Sequence, residues 1–178
     1  MRNILVFFLV ALLAGCVSRS VPHYSIVPDN ISVLKSIGVD GVKIGSISDA
    51  SNFDDNCRGS SITPPVNMSF SGYIASALGN ELKMAGLYNE KQPKNVLSGL
   101  IDQMEFSSTN SLTKGEWKIT LTLQSSNGKK VSVTENYQFD SGFEGSSACR
   151  RTAEAFLPAV QNLISKLFNM SEFRALIQ

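Results

Sequence analysis

The sequence predicts an α+β fold: a two-layer domain with a four-stranded, mostly antiparallel sheet and two helices on one face, in the order β-α-β-β-β-α. Three observations predict it. Segments 69–85 and 147–167 repeat apolar residues at helical spacing. Segments 117–123 and 131–139 alternate apolar and polar residues, as half-buried strands do. With 43% hydrophobic and 17% charged residues among 178, the chain has the composition of one packed domain, which excludes a disordered, collagen-like or coiled-coil protein.

The first fifteen residues are an address. Arg2 is followed by an apolar run over residues 4–14. As a helix this run would reach only about 16 Å, against the ~30 Å hydrocarbon core of a bilayer, so it is a secretory signal and not a membrane span. Leu13-Ala14-Gly15-Cys16 at its end resembles a bacterial lipobox, which implies cleavage between Gly15 and Cys16 and lipidation of Cys16. Two or more acyl chains anchor stably where one does not, at about 0.8 kcal/mol per buried CH₂. Val17, not Asp, follows the cysteine, so the resemblance implies the outer membrane's inner leaflet, facing the periplasm. Without residues 1–15 the chain has 15 basic and 15 acidic residues. That balance excludes a polyanion-binding surplus, so no nucleic acid partner is expected, and it gives no support for adhesion to anionic headgroups beyond the lipid.

Setting Cys16 aside leaves Cys57 and Cys149. In an oxidising compartment an even pair reads as a disulfide, with two free thiols as the alternative. A metal site lacks ligands, because the single histidine is His23 and no C-x-x-C spacing occurs. A disulfide here would close most of the domain into one loop, worth about 4–5 kcal/mol in the chain-entropy model. It would also bring Asp54 or Asp55 near Arg150 or Arg151.

Residues 16–35 carry Ser18, Ser20, Pro22, Pro28, Asp29 and Asn30 with little periodicity, and read as the lipidated cysteine and a tether. The domain then spans 36–178. Residues 37–47 are β-branched and alternating, with a change of phase around Asp40-Gly41 that suggests a bulge or turn. Residues 48–67 form a long polar connection that Cys57 would staple. Ser69 N-caps a helix carrying Phe70, Ile74, Ala77, Leu78, Leu82 and Ala85, and Gly86 ends it. Residues 96–106 have apolar residues on both faces, as an interior strand would.

Asn127-Gly128 joins the next two strands, and parity decides the loop. A two-residue loop would set Leu123 opposite Ser132, mixing apolar and polar residues on one face. A three-residue loop with Gly128 left-handed sets Leu123 opposite Val131, Leu121 opposite Val133 and Trp117 opposite Tyr137. The second register is expected, with Glu135 opposite Ile119 at a sheet margin. Ser147 caps the last long helix, which Pro158 should kink or interrupt. Phe173, Leu176 and Ile177 suggest a final short turn docking on the domain.

Catalytic groups are sparse. The region 36–178 contains no histidine, which removes Ser-His and Cys-His mechanisms. Asp49, Asp54 and Asp55 lie close in sequence but lack the oxygen spacing of a calcium loop. No phosphate-cradling glycine loop occurs, and no cofactor or metal is expected. The order of elements together with the lipobox resembles the YajG-like bacterial lipoproteins and, in general look, the auxiliary lipoproteins of ABC-type lipid transporters. The YajG-like pattern lacks the cysteine pair, and the resemblance carries over no catalytic or binding residues. The expectation is a non-enzymatic, lipid-anchored interaction module with an envelope protein partner. The alternative is an auxiliary component that handles lipid in an apolar groove, between the helices or on the uncovered sheet face.

Overall fold

The computed structural model describes residues 18–178 except 50, 51, 110 and 112. The signal segment, the cleavage position at Gly15 and the lipidation position at Cys16 lie outside the described residues. In chain order the elements are β1 (Ser18–Ser20), α1 (Pro28–Ile37), β2 (Val42–Ser48), β3 (Asn56–Cys57), β4 (Ser60–Thr63), α2 (Phe70–Ala85), β5 (Asn95–Ser107), β6 (Lys114–Ser125), β7 (Lys130–Asp140), α3 (Gly145–Asn169) and α4 (Ser171–Ile177).

The expected four-stranded sheet is present in the order β2-β5-β6-β7, with β2 parallel to β5 and the other pairs antiparallel. The α2 crossover makes the first pair parallel, and tight or short connections make the rest antiparallel. Helix α2 packs on β2, and α3 packs on β6 and β7. The fold differs from the expectation in three additions: a small sheet in the order β1-β4-β3, helix α1, and α4 as a full short helix.

The β6–β7 hairpin takes the register that parity selects. Leu123 pairs with Val131, Leu121 with Val133 and Trp117 with Tyr137. The Gly128 N–H donates to Ser125 O at 2.9 Å, the Ser125 N–H donates to Lys129 O at 2.9 Å, and Gly128 has φ +85°. Glu135 does pair with Ile119, on the edge strand β7 as expected, yet it is covered by α3 and only 4% exposed. Lys166 of α3 forms an ion pair with it, and Asn162 Nδ2 donates to its Oε1.

Other elements depart from their sequence reading for local reasons. The first strand begins only at Val42, because α1 runs to Ile37 and left-handed Gly38 ends it. The break in register falls between Ile44 and Ile47 rather than at Asp40-Gly41. Gly45 sits in that break, where a Cβ would stand 2.6 Å from Ser98 Oγ. In β5 a register shift between Ile101 and Gln103 changes the phase, so Leu97, Ile101 and Met104 all face the core. Strand β5 is interior to the sheet as expected, between β2 and β6, but Leu100 is left 45% exposed, so the strand's two apolar faces reflect the bulge and not double coverage. Ser69 and Gly86 cap α2 as expected.

Helix α3 is capped by Glu144 and not by Ser147: the Glu144 carboxylate accepts from the Ser146 and Ser147 N–H groups, each at 2.8 Å. Pro158 does not interrupt it. The carbonyl that Pro158 cannot bond belongs to exposed Glu154, where water can replace the missing donor.

The largest difference is residues 18–35, expected as a tether. They are built into the domain. Val21 is 3% exposed, its N–H donating to Thr63 O at 2.8 Å. Helix α1 lies across α2 and α3 with Leu34 fully buried. His23, by contrast, is exposed as expected. The arm is held by Glu81 on α2, whose side chain is fully buried. Glu81 Oε1 accepts from Tyr24 Oη at 2.7 Å, the Val27 N–H at 3.0 Å and Asn30 Nδ2 at 3.3 Å. Burial, with the Glu81 carboxylate beside it, pushes the Tyr24 hydroxyl far above the usual tyrosine range. Tyr73 beneath it is pushed by burial to about 12, and its hydroxyl donates to Pro22 O at 2.9 Å.

Two substitutions test this packing. Glu81→Ala strands three buried or half-buried donors and should cost about 2–4 kcal/mol in chemical denaturation, with Glu81→Gln costing less because one acceptor oxygen remains. Gly79→Ala should stabilise by roughly 0.5–1 kcal/mol in the same measurement. A Cβ there meets only ordinary contacts, Tyr88 at 3.9 Å and Ile44 at 4.0 Å, and alanine removes the helix penalty of glycine.

Candidate functional site at the disulfide end

The long connection of residues 49–69 folds onto one end of the main sheet through a hairpin. Strands β3 and β4 are joined by Arg58-Gly59, with Cys57 paired to Ser60. Both turn residues are left-handed, at φ +49° and +83°. Such two-residue turns favour Asn-Gly, and a non-glycine residue in this conformation costs about 1–2 kcal/mol. Arg58 therefore occupies a position where a smaller residue would be less strained. Local side chains brace the turn: Asp54 Oδ1 accepts from the Asn56 N–H, and Asn56 Oδ1 accepts from the Gly59 N–H, both at 2.9 Å.

Cys57 and Cys149 are joined as a disulfide, with Cα atoms 5.7 Å apart and each residue 1% exposed. It ties the hairpin to the second turn of α3. Asp54 and Asp55 form no ion pair with Arg150 or Arg151. Arg150 pairs instead with Glu154 one helical turn on, and Arg151 Nη1 donates to Ser141 O at 3.1 Å. The disulfide orients the hairpin so that Asp54 braces its own turn, while Asp55 faces a cavity on the other side.

Arg58 performs the bridging that the aspartates were expected to provide. Its Nε donates to Ser108 Oγ at 3.1 Å and its Nη1 to Phe143 O at 3.0 Å, linking the ends of β5 and β7. Arg19 of β1 donates from Nη2 to Ser146 Oγ at 2.7 Å. The Ser147 and Ser146 N–H bonds hold the Glu144 carboxyl below the usual glutamate range, with a smaller contribution from the Arg19 charge. Sequence reasoning missed Arg19, Arg58 and Phe143, because their partners lie up to 127 positions away and form no local pattern.

Two recesses flank the hairpin. One, about 340 Å³, lies between Arg58, Thr109, Gly142 and Phe143. The other, about 360 Å³, combines Phe53, Met68, Phe70 and Met104 with the carboxylates of Asp49 and Asp55. Both are at the small end of ligand-pocket size. Asp49 Oδ1 already accepts from the Ser71 N–H at 2.8 Å, as a clasp on the first turn of α2. Among the described residues no three His, Cys, Asp or Glu side chains converge as metal ligands would, and no helix is long and apolar enough to cross a membrane. This end presents the guanidinium groups of Arg19 and Arg58 and the solvated ring of Phe143.

The disulfide can be tested directly. Replacing both Cys57 and Cys149 with alanine should lower unfolding stability by up to about 4–5 kcal/mol, read as a fall in denaturant midpoint that reducing agent reproduces in the unaltered protein.

No protein-family model matches the chain, and no curated protein matches it. Among solved structures, a protein of Caulobacter crescentus CB15 described as a lipoprotein is similar over 79% of this chain and 90% of its own, at 14% identity and a TM-score of 0.45. The hypothetical protein CT253 of Chlamydia trachomatis is similar over 78% of this chain and 98% of its own, at 6% identity and a TM-score of 0.44.

Proposed function

We propose that this chain is an envelope lipoprotein, cleaved before Cys16, acylated there, held at the inner leaflet of the outer membrane, and acting in the periplasm as a non-catalytic interaction module. The observation that carries the reading is the sequence Leu13-Ala14-Gly15-Cys16 at the end of a short apolar run, with an ordered strand beginning two residues later at Ser18. A buried disulfide suits the oxidising compartment that such export reaches. The resemblance to YajG-like lipoproteins supports the same class through the lipobox and the order of elements.

The lipid-handling alternative needs an apolar groove, and the two places expected for one offer little apolar surface. The uncovered sheet face presents Lys118, Thr120, Thr122, Gln124, Ser132 and Thr134 together with half-exposed Leu100, which lines a mostly polar recess of about 300 Å³ with Asp102, Gln124 and Lys130. Between the helices, the space is covered by α1 with Leu34 at its base.

Intact mass of the protein purified from membranes of a bacterial host should show loss of residues 1–15 and addition of acyl groups, and Cys16→Ser should move the protein out of the membrane fraction. In-cell crosslinking followed by affinity capture should then recover a discrete envelope protein from the wild type. An unprocessed leader at full mass would overturn the anchoring, and recovery of no partner would overturn the interaction role.

A further inference from the structure

Resting on that anchoring, we propose that the disulfide end of the domain is a membrane-contact surface, in which Phe143 enters the interfacial layer of the bilayer and Arg19, Arg58 and Arg151 meet phospholipid phosphates. The first argument is chain length. Only Val17 separates Cys16 from β1, so the lipidated residue and Ser18 are at most about 7 Å apart. Strand β1 is fixed beside β4, with Ser18 paired to Ser61, so the chain enters the domain from the side of the Arg58-Gly59 turn. The end of the domain carrying that turn is therefore held against the surface that the acyl chains enter.

The second argument is what this end exposes. Phe143 is 74% exposed, an unusual state for a large aromatic side chain. Three arginines grip the short segment around it, and each does so through a neutral oxygen: Arg151 through Ser141 O, Arg58 through Phe143 O and Arg19 through Ser146 Oγ. Among the described residues none of the three has a carboxylate ion pair. Glu144, near Arg19, already accepts two backbone bonds as the cap of α3, and Asp140, near Arg151, is already paired with Lys114. One solvated aromatic ringed by guanidinium groups that make no direct carboxylate ion pair matches the apolar-then-phosphate layering of a phospholipid interface, where aromatic side chains and arginines partition. The balanced charge of the whole chain gives no long-range attraction, so the contact is local and follows from the anchor.

The test uses the full-length acylated protein in vesicles of phosphatidylethanolamine and phosphatidylglycerol carrying brominated acyl chains. Phe143→Trp places a fluorophore at the proposed contact. Met84→Trp places one on α2, 61% exposed and about 21 Å along the helix from Phe70, which lines the recess beside the hairpin. Native Trp117 is fully buried and gives the constant background. Expected is several-fold stronger bromine quenching for Phe143→Trp than for Met84→Trp, together with a blue shift on vesicle binding. Replacing Arg19, Arg58 and Arg151 with Gln in the Phe143→Trp background should weaken that quenching while leaving acylation unchanged. Equal quenching at both positions, or none at either, overturns the contact surface, and quenching indifferent to the arginines overturns the phosphate contacts. Mass measured on the same sample separates the two readings: an acylated protein without quenching leaves the anchoring intact and removes only this inference, whereas an unacylated mass removes both.

Discussion

The inward face of β6 is the constraint on which the other elements depend. Gly115, Trp117, Ile119, Leu121 and Leu123 alternate inward along one strand, and a one-residue slip would turn all of them to solvent. Trp117 is the point where separate parts of the chain meet. Its ring lies 4.9 Å from Phe156 of α3, 4.9 Å from Phe106 of β5, 6.1 Å from Phe53 of the long connection and 6.4 Å from Phe70 of α2. Its Nε1 donates to Thr152 O at 2.8 Å, so burial leaves no indole donor unpaired. The register of one hairpin therefore determines where both helices and the connection can pack, and Gly115 and Gly128 matter through that register.

What the sequence showed and what it hid follow from this dependence. The β6–β7 register was legible because Leu121, Leu123, Val131 and Val133 allow only one loop length that keeps them on one face. Helix α2 was legible because its two caps, Ser69 and Gly86, are local. The small sheet was not, since β3 has two residues and β1 three, too short for any period to register. The pairing of β1 with β4 joins chain segments about 40 positions apart, such as Ser18 and Ser61. Helix α1 left signals that were read as a linker: Pro28 at its first position, Asp29 in the first turn and Gly38 just past its end are a start and a stop. Polar composition outweighed them, because Asn30 and the buried Glu81 make a polar anchorage that hydrophobic spacing cannot reveal. Glu144 as the cap of α3 was hidden in the same way, masked by two serines that are equally good caps.

Of the candidate site, the disulfide was legible by counting and the arginine contacts were not. Counting needs only the compartment and the number of cysteines. The partners of Arg58 and Arg19 are set by where the hairpin comes to rest, which depends on the disulfide and on Phe53 packing against Trp117. The acidic run near Cys57 and the basic run near Cys149 suggested a charge pairing, yet a fixed Cα separation does not fix which way side chains leave the backbone. The left-handed turn at Arg58 points its side chain at the ends of β5 and β7 instead.

The position of the disulfide gains a mechanical sense from the proposed anchoring. A hairpin of one two-residue and one four-residue strand has too few backbone hydrogen bonds to hold its place alone. Strand β1 pairs with that hairpin and is the first described element after Cys16, the residue proposed to be acylated. Force passed from the bilayer through Cys16 would reach β1, then β4, then β3, and there meet a covalent bond to α3, the longest helix, whose inner face is buried along its length. The second hold is the Glu81 clasp on Tyr24, Val27 and Asn30, which fixes the chain again after β1 leaves the small sheet. A freely hinged tether would let the domain tumble above the membrane and would make no use of either hold. With the proposed anchor, fixing the arm at two points would instead give the domain a defined end toward the bilayer, and that end would be the one bearing Phe143 and its three arginines.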